Sequence, residues 1–387
     1  MRTVGKADGA KGRAARREQE EIERFMGEAL EQAKKGQGRT SPNPVVGAVL
    51  VKNGRVIARG HHAKAGGPHA EVVALGQAGE KARGADLYST LEPCDHHGRT
   101  PPCTEAIVRA GIRRVVVGCR DRNPLVSGRG LRRLREAGIE VLTGVREEAC
   151  AALNDPFFTF VTKKRPFVTL KIAATADGKI AASNGDSRWV TGPKSRERVH
   201  GLRDRVDAIL VGAGTVRLDD PQLTTRLRGR TAARQPLRVV LTGTLDIPAK
   251  ARLFDEERGG VLVLTSSPDE KRARALEARG AEVVRIGGDG GRVDLQAALA
   301  HLASRDIVHL LVEGGAGVFG GFLEAGLVDA VQLYIAPKVL GEGISWARLA
   351  RRERMSEAIE LLQTGVEQVG QDVLITLRPR PAVRRSR

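Results

Sequence analysis

The chain has 387 residues, 41% hydrophobic and 28% charged, with a formal net charge of +18 and four cysteines. That is room for two domains of ordinary globular composition, with too few cysteines for a disulfide framework, no run of roughly 20 apolar residues for a membrane helix and no apolar N-terminal core for a secretory signal, so a cytoplasmic protein is expected. The positive charge is mostly Arg spread along the chain, and aromatics are only 3%, which leaves few stacking platforms for nucleic-acid bases and reads as solvated charge with some attraction for anionic substrates.

Residues 1–19 lack a periodic apolar face and read as a disordered basic extension. A helix is expected over 20–35, where Ile22, Phe25, Met26, Ala29, Leu30 and Ala33 recur at helical spacing. Val45–Val51 and Val56–Ala58 flank Asn53-Gly54 and read as a hairpin. Helices over 70–79, 102–111 and 130–138 then alternate with strands over 85–93, 113–121 and 140–145, the pattern of an α/β sheet covered by helices. A second cycle begins after 163–166. It has strands over 166–180, 207–216, 237–245, 260–266 and 307–315 and a helix over 195–206. The reading is therefore a domain over 20–163, a second over 164–378 and a basic tail over 379–387.

The first domain carries a metal pattern. "PHAE" opens a helix with His69 and Glu71, "EPC" ends a strand at Cys94, and "PPC" opens a helix at Cys103. A single His or Cys is more often a packed core residue than a ligand. The joint pattern is what points to zinc, because imidazole and thiolate are its natural donors and three protein ligands leave a fourth position open for catalysis. Zinc brings the pKa of a bound water toward neutrality, and a Glu two residues after the His matches the non-ligating acid/base of zinc deaminases. The spacing Cys94-x8-Cys103 departs from the Cys-x-x-Cys of the general deaminase signature. The inserted "DHHGRTPP" offers His96, His97 and Arg99 to a pocket for something polar or anionic. Cys119 and Cys150 have no ligand partner at suitable spacing and read as core.

The second domain carries Gly315-x-Gly317-x-x-Gly320 after the apolar strand "IVHLLVE". Glycines at a helix N-terminus let backbone amides approach a phosphate. A Rossmann fingerprint, however, opens its domain, and this one stands near the end. A nicotinamide pocket without a Rossmann fold is the expectation.

Together "HAE", "TLEPCDHHGRTPPC", "NPVVGAV" and "DRNPLVSGRG" resemble the deaminase domain of the bifunctional riboflavin-biosynthesis deaminase–reductases. "KIAATADGKIA", "SRWVTG", "LRDRVDAILVGAGTVRLDDPQLTTR", "VEGGAGVFGGFLEAGLVD" and "YIAPKVLG" resemble their reductase domain, and the likeness spans roughly residues 20 to 380. The resemblance implies a cytidine-deaminase-like three-layer α/β/α domain followed by a dihydrofolate-reductase-like α/β domain. It implies one Zn2+ on His69, Cys94 and Cys103, with Glu71 moving protons. Asn43, His62, Arg99, Asp121 and Asn123 would bind the deaminase substrate. NADPH would be held by Ala174, Trp189, Thr215, Asp219 and the turn Gly315, Ala316, Gly317, Val318, Phe319, Gly320 and Gly321. Ser187, Arg203, Leu223, Arg226 and Glu313 would hold the sugar-phosphate substrate, the arginines suiting phosphate by bidentate hydrogen bonding. The implied substrates are small phosphorylated pyrimidines, with a possible homo-oligomer and no membrane or nucleic-acid partner. Three positions depart from the family pattern: Asp95 stands where Ser is common, "TADG" replaces "SLDG", and "LTGTL" lacks an Asp after its strand. No clear general acid for the reduction stands in the sequence, which leaves a water or Asp177 for that role. Two rival readings are a nucleic-acid-editing deaminase, which has no use for the second domain, and a scaffold in which one domain has lost activity.

Overall fold

The structure is a computed structural model and describes residues 5–97, 101–124, 126–255, 258–289 and 291–380. Residues 1–4 of the basic extension, Arg99, and the tail from residue 381 on lie outside the described residues. The chain divides into two compact units, Met1–Lys163 and Lys164–Arg387. No helix among the described residues is long and apolar enough to cross a membrane.

The first unit opens with α1 (Gly5–Lys34), which starts well before the helix expected from residue 20. The expectation of disorder through residue 19 is corrected here. Ala, Lys, Arg, Gln and Glu are strong helix formers, and Arg16–Glu20 and Gln19–Glu23 add pairs four residues apart, so the helix extends without an apolar face to mark it. β1 (Gly47–Lys52) and β2 (Arg55–His61) form the hairpin, turning through Asn53 and Gly54 at φ 51° and 69°. There follow α2 (Ala70–Ala78), β3 (Asp86–Leu91), α3 (Cys103–Arg109), β4 (Arg114–Cys119), α4 (Arg129–Glu136), β5 (Glu140–Thr143), α5 (Glu147–Leu153) and α6 (Asp155–Lys163).

The sheet order is β2-β1-β3-β4-β5, with β1 antiparallel to both neighbours and β3, β4 and β5 parallel. Two glycines set the layers. A Cβ on Gly47 would lie 2.1 Å from the Ala29 carbonyl of α1, and one on Gly60 would lie 2.1 Å from the Ala70 carbonyl of α2. Gly60 pairs with Ala48, the neighbour of Gly47, so the two glycines face opposite sides of the sheet. Helices thus press on both faces, and β3 is buried at every position, as parallel strands between two helix layers are.

The second unit contains β6 (Phe167–Thr175), β7 (Lys179–Ala181), α7 (Pro193–Arg203), β8 (Ala208–Gly212), α8 (Ala213–Asp219), β9 (Arg226–Leu227), β10 (Arg230–Thr231), β11 (Leu237–Thr242), β12 (Val261–Thr265), α9 (Glu270–Glu277), β13 (Ala281–Arg285), α10 (Leu295–Ser304), β14 (His309–Val312), α11 (Ala316–Glu324), β15 (Ala330–Ala336), β16 (Ile344–Ser345), β17 (Leu361–Val369) and β18 (Asp372–Pro379). Its main sheet runs β13-β12-β11-β8-β14-β6-β15-β18-β17. The first seven strands are parallel, and β18 and β17 close that edge antiparallel. The strand expected over 207–216 stops at Gly212, where α8 begins. β14 lies between β6 and β8, so the chain reverses its direction of sheet growth there. Crevices at such strand ends are where open α/β sheets bind ligands.

Candidate active sites

In the first unit, three element ends meet. His69 is the extended N-cap residue of α2, Glu71 lies in that helix's first turn, Cys94 follows β3, and Cys103 opens α3. The ligand atoms of His69, Cys94 and Cys103 all lie within 4.8 Å of one another. His69 Nδ1 is 3.1 Å from Cys103 Sγ and 3.5 Å from Cys94 Sγ. One imidazole and two thiols converging from rigid element ends fit a zinc ion with one position left open. The backbone amide of Cys103 points at Cys94 Sγ at 3.5 Å, and hydrogen bonds from Cys103 and His69 pull the Cys94 thiol's pKa well down. Glu71 is only 3% exposed. Its Oε2 is 3.6 Å from Cys103 Sγ, and Ser89 Oγ lies 3.1 Å from its Oε1. Burial pushes its carboxyl pKa up.

The surrounding expected residues fall into two groups. His62 Nδ1 is 3.1 Å from the Pro68 carbonyl, which can only accept, so the ring proton sits on Nδ1. Nε2 then accepts from Asn43 Nδ2 at 3.1 Å. Burial lowers the His62 pKa and favours this neutral form, and the ring stands edge-on to His69 with centroids 5.3 Å apart. On the other side, Asp121 is buried and its carboxyl is pushed up to about 6 by burial. Asp121 Oδ1 accepts from the Asn123 amide at 2.7 Å. Asp95 accepts from Thr104 Oγ1, which ties the segment after Cys94 to the residue after Cys103. Cys119 and Cys150 are buried core thiols.

In the second unit, a cavity of about 1170 Å³ opens at the ends of β8, β11 and β14. Thr215, Asp219, Gly315, Ala316, Gly317, Val318, Gly320 and Gly321 line it, as does Ser187, whose Oγ donates to Asp219 Oδ1 at 2.7 Å. Three expected cofactor residues do not line it. Ala174 and Phe319 are buried in the core, and Trp189 is 63% exposed with the Arg196 guanidinium 4.5 Å above its ring. The Gly315 N-cap gives α11 no side-chain cap. Its first amides have no intrahelical acceptor, so they fit a phosphate.

Arg203 and Glu313, side chains 14% and 10% exposed, form a two-bond pair at 2.7 and 2.8 Å, and Arg203 also donates to the Thr224 carbonyl at 2.9 Å. Glu313's carboxyl is lowered by Arg203 against the opposing effect of burial. His200 is pushed down to about 4, by burial first and by Arg203 and Arg226 next. Leu223 is buried at φ 54°, and Arg226 is exposed on β9, its amide donating to His200 Nδ1 at 3.1 Å. Asp177 is corrected as a proton donor. Its carboxylate accepts from Thr175 Oγ1 at 2.6 Å and from the amides of Leu340 and Gly341 at 3.1 and 2.8 Å. Those bonds hold its pKa at about 2, and a group that acidic has no proton to give at neutral pH.

Comparison with known proteins finds relatives of both units. Residues 19–119 match the cytidine and deoxycytidylate deaminase zinc-binding region, and residues 166–375 match the RibD C-terminal domain. The riboflavin biosynthesis protein RibD of Aquifex aeolicus is 47% identical over 351 residues, 91% of this chain and 96% of that protein. The chain belongs to the RibD family. A solved RibD from Acinetobacter baumannii superposes with a TM-score of 0.84 at 38% identity, covering 94% of this chain and all of that one. A diaminohydroxyphosphoribosylaminopyrimidine deaminase/5-amino-6-(5-phosphoribosylamino)uracil reductase from Thermotoga maritima gives 0.81 at 43% identity, with the same coverage. The protein is thus a bifunctional deaminase and reductase of riboflavin biosynthesis acting on small phosphorylated pyrimidines. The cytidine-deaminase-like first domain is borne out, and the zinc-binding region and reductase domain are consistent with Zn2+ and NADPH.

Sequence reasoning missed several residues that this RibD-family chain places at its sites. Glu92, 3% exposed, accepts from the amides of Asp121, Gly128 and Leu131 at 3.3, 3.1 and 3.5 Å. It pins the loop carrying Asp121 and Asn123 beside Cys94. The cavity of the second unit is also lined by Thr242, Gly243, Arg292 and Arg348. The "LEPC" motif contains Glu92 and so offered a signal; nothing marked the two arginines among 64 basic residues.

Proposed function

We propose that residues 20–163 deaminate 2,5-diamino-6-ribosylamino-4(3H)-pyrimidinone 5′-phosphate. Residues 164–378 then reduce the ribosyl chain of the resulting 5-amino-6-ribosylaminouracil 5′-phosphate with NADPH. The observation that carries the reading is the His69, Cys94 and Cys103 cluster with the buried Glu71 carboxyl 3.6 Å from one of its thiols. Zinc, when bound there, supplies an activated water. Glu71 takes one proton from that water and delivers it to the ring nitrogen, then takes the second from the resulting hydroxyl as the carbonyl forms and delivers it to the amine, which leaves as ammonia; its raised pKa suits a group that must both accept and return a proton. Asn43, His62, Arg99, Asp121 and Asn123 bind the pyrimidine, and neutral His62 presents a fixed tautomer to it.

NADPH supplies the hydride in the second step. The glycine-rich turn from Gly315 to Gly321, with Ala174, Trp189, Thr215 and Asp219, would hold that cofactor. Ser187, Arg203, Leu223, Arg226 and Glu313 hold the sugar phosphate. Alignment of the two ligands is the main contribution here, worth up to roughly 7–11 kcal/mol of barrier, and the proton comes from water. A cytoplasmic homo-oligomer completes the reading, as the family implies.

Mass spectrometry of products from the purified chain tests this. Amine-to-carbonyl conversion without cofactor, then gain of two hydrogens only with NADPH, is expected, with no conversion by Glu71→Gln. Reduction preceding deamination would overturn the order, and no conversion by zinc-loaded protein would overturn the substrate.

A further inference from the structure

We propose that Arg292 recognises the 2′-phosphate of the dinucleotide and so sets the preference for NADPH over NADH, while Arg348 serves the pyrophosphate that both share. This rests on reading the cavity of the second unit as the cofactor site.

Four charged side chains line that cavity: Asp219, Arg292, Glu324 and Arg348. Both acids are engaged. Asp219 accepts from Ser187, and Glu324 accepts from the Arg352 guanidinium through both oxygens at 3.1 Å and from the Ala350 amide at 2.9 Å. Both arginines are exposed, and among the described residues neither side chain has a hydrogen bond or an ion pair. Arg352 neutralises Glu324, so one carboxylate, Asp219, stands against two guanidinium groups, and this net positive lining favours an anion.

Position separates the two roles. The Arg348 amide donates to the Ala316 carbonyl at 2.9 Å, and a Cβ on Gly320 would lie 1.8 Å from the Arg348 carbonyl. Residue 348 therefore lies against the first turns of α11, the seat of a pyrophosphate. Arg292 stands on the loop between β13 and α10. A Cβ on Gly243 would lie 1.5 Å from the Gly291 carbonyl, so this loop rests directly on the residue after β11. β11 is two strands from β14, which feeds α11, or roughly 10 Å at ~4.8 Å per strand. The Arg203–Glu313 pair lies at the end of β14, and Lys171, which feels both charges, is on β6, the far side of β14 from β11. The nicotinamide must face that substrate side, so the adenosine runs toward β11 and Arg292. A guanidinium there suits a 2′-phosphate, which it can bind by two hydrogen bonds and which NADH lacks. This strand end offers Thr242 and Gly243, with no acid lining the cavity beside them.

The test is calorimetric titration of the full-length protein with NADPH, NADH, adenosine 2′-monophosphate and adenosine 5′-monophosphate. Arg292→Ala should weaken NADPH and the 2′-monophosphate by about tenfold or more, the scale of a lost charged hydrogen bond, and leave NADH unchanged. Arg292→Lys should restore part of the loss, and Arg348→Ala should weaken NADPH and NADH alike. Unchanged NADPH affinity in Arg292→Ala, or equal losses for both dinucleotides, would overturn the assignment. Wild-type protein that binds neither dinucleotide would instead sink the cofactor reading and this assignment with it.

Discussion

The metal cluster of the first unit and the cavity of the second are built from different materials. In the first, four side chains of scarce or reactive type meet within a few ångströms: one His, two Cys and one buried Glu. In the second, the walls are largely glycine backbone and small side chains around about 1170 Å³, and the buried charges at the end of β14, Arg203 and Glu313, are locked to each other. The difference follows from what each site must do. A hydrolytic deamination needs the protein to supply an acid/base and a metal. A hydride transfer brings its reactive group with the cofactor, so the protein supplies shape and alignment.

The comparison breaks most sharply at Glu71. Glu71→Gln keeps the side chain's volume and its contact with Ser89 but removes the proton carrier. Deamination should fall about 10²- to 10⁴-fold, the range for losing a general acid/base, with zinc content and reduction of supplied deaminated substrate unchanged. Parallel loss of both activities would show a global defect. No single side chain in the second cavity should match that loss, because alignment there is shared among many contacts.

The next largest effect is on stability. Arg203→Met leaves Glu313 a largely buried carboxylate without its partner, and breaking such pairs costs about 3–5 kcal/mol. Denaturant unfolding should show an early transition for the second unit while zinc-dependent deaminase activity survives in the same denaturant. A single unshifted transition would show that the pair is dispensable.

Glu92→Gln sharpens the comparison from the other side, because here the first site also leans on backbone amides. Three of them converge on that carboxylate. An amide side chain keeps the shape but weakens the charged acceptor, so the loop holding Asp121 and Asn123 should loosen. The expected result is a rise in the deaminase KM of about tenfold, from one charged hydrogen bond's worth of order, with kcat and zinc content little changed. An equal fall in kcat would place Glu92 nearer the chemistry than its contacts do.

These contrasts also explain what could be read from sequence. Four cysteines in 387 residues make a Pro-rich loop with two of them conspicuous, and a preceding His-x-Glu completes the chemistry. The hairpin at Asn53-Gly54 and the alternating apolar runs fixed the first sheet's beginnings for the same reason: residue type alone limits the backbone there. α1 was legible only from about residue 20, just ahead of the buried Ile22; upstream, helix propensity acts without an apolar stripe to reveal it. Arg292 and Arg348 were invisible because their meaning is positional. Each is one arginine among 64 basic residues, and what distinguishes it is a cavity and the absence of a partner among the described residues. Asp177 misled because a carboxylate near a cofactor motif suggests proton transfer, while its actual bonds to Thr175, Leu340 and Gly341 hold it ionised.

The smallest expected effect concerns acid stability of the second unit. His309 starts β14, with Nε2 2.9 Å from Thr169 Oγ1 and its ring edge-on to Phe167 at 5.5 Å. Burial pushes its pKa down to about 4, against a smaller upward pull from Asp329, which is itself held by Arg165. The unfolded chain takes up a proton near the ordinary value of about 6.5, and the folded chain does so only near 4. Stability from this group is therefore complete above 6.5 and declines as pH falls toward 4. The slope is at most about 1.4 kcal/mol per pH unit for one proton. His200, also lowered to about 4, adds a slope of the same sign. His309→Leu should remove only its own share, so urea unfolding of the second unit between pH 7 and 4.5 should show a shallower loss of stability in the variant than in the wild type. Parallel pH profiles would mean that His309 is protonated in the folded chain, with its charge shared by Asp329, and that burial does not govern it.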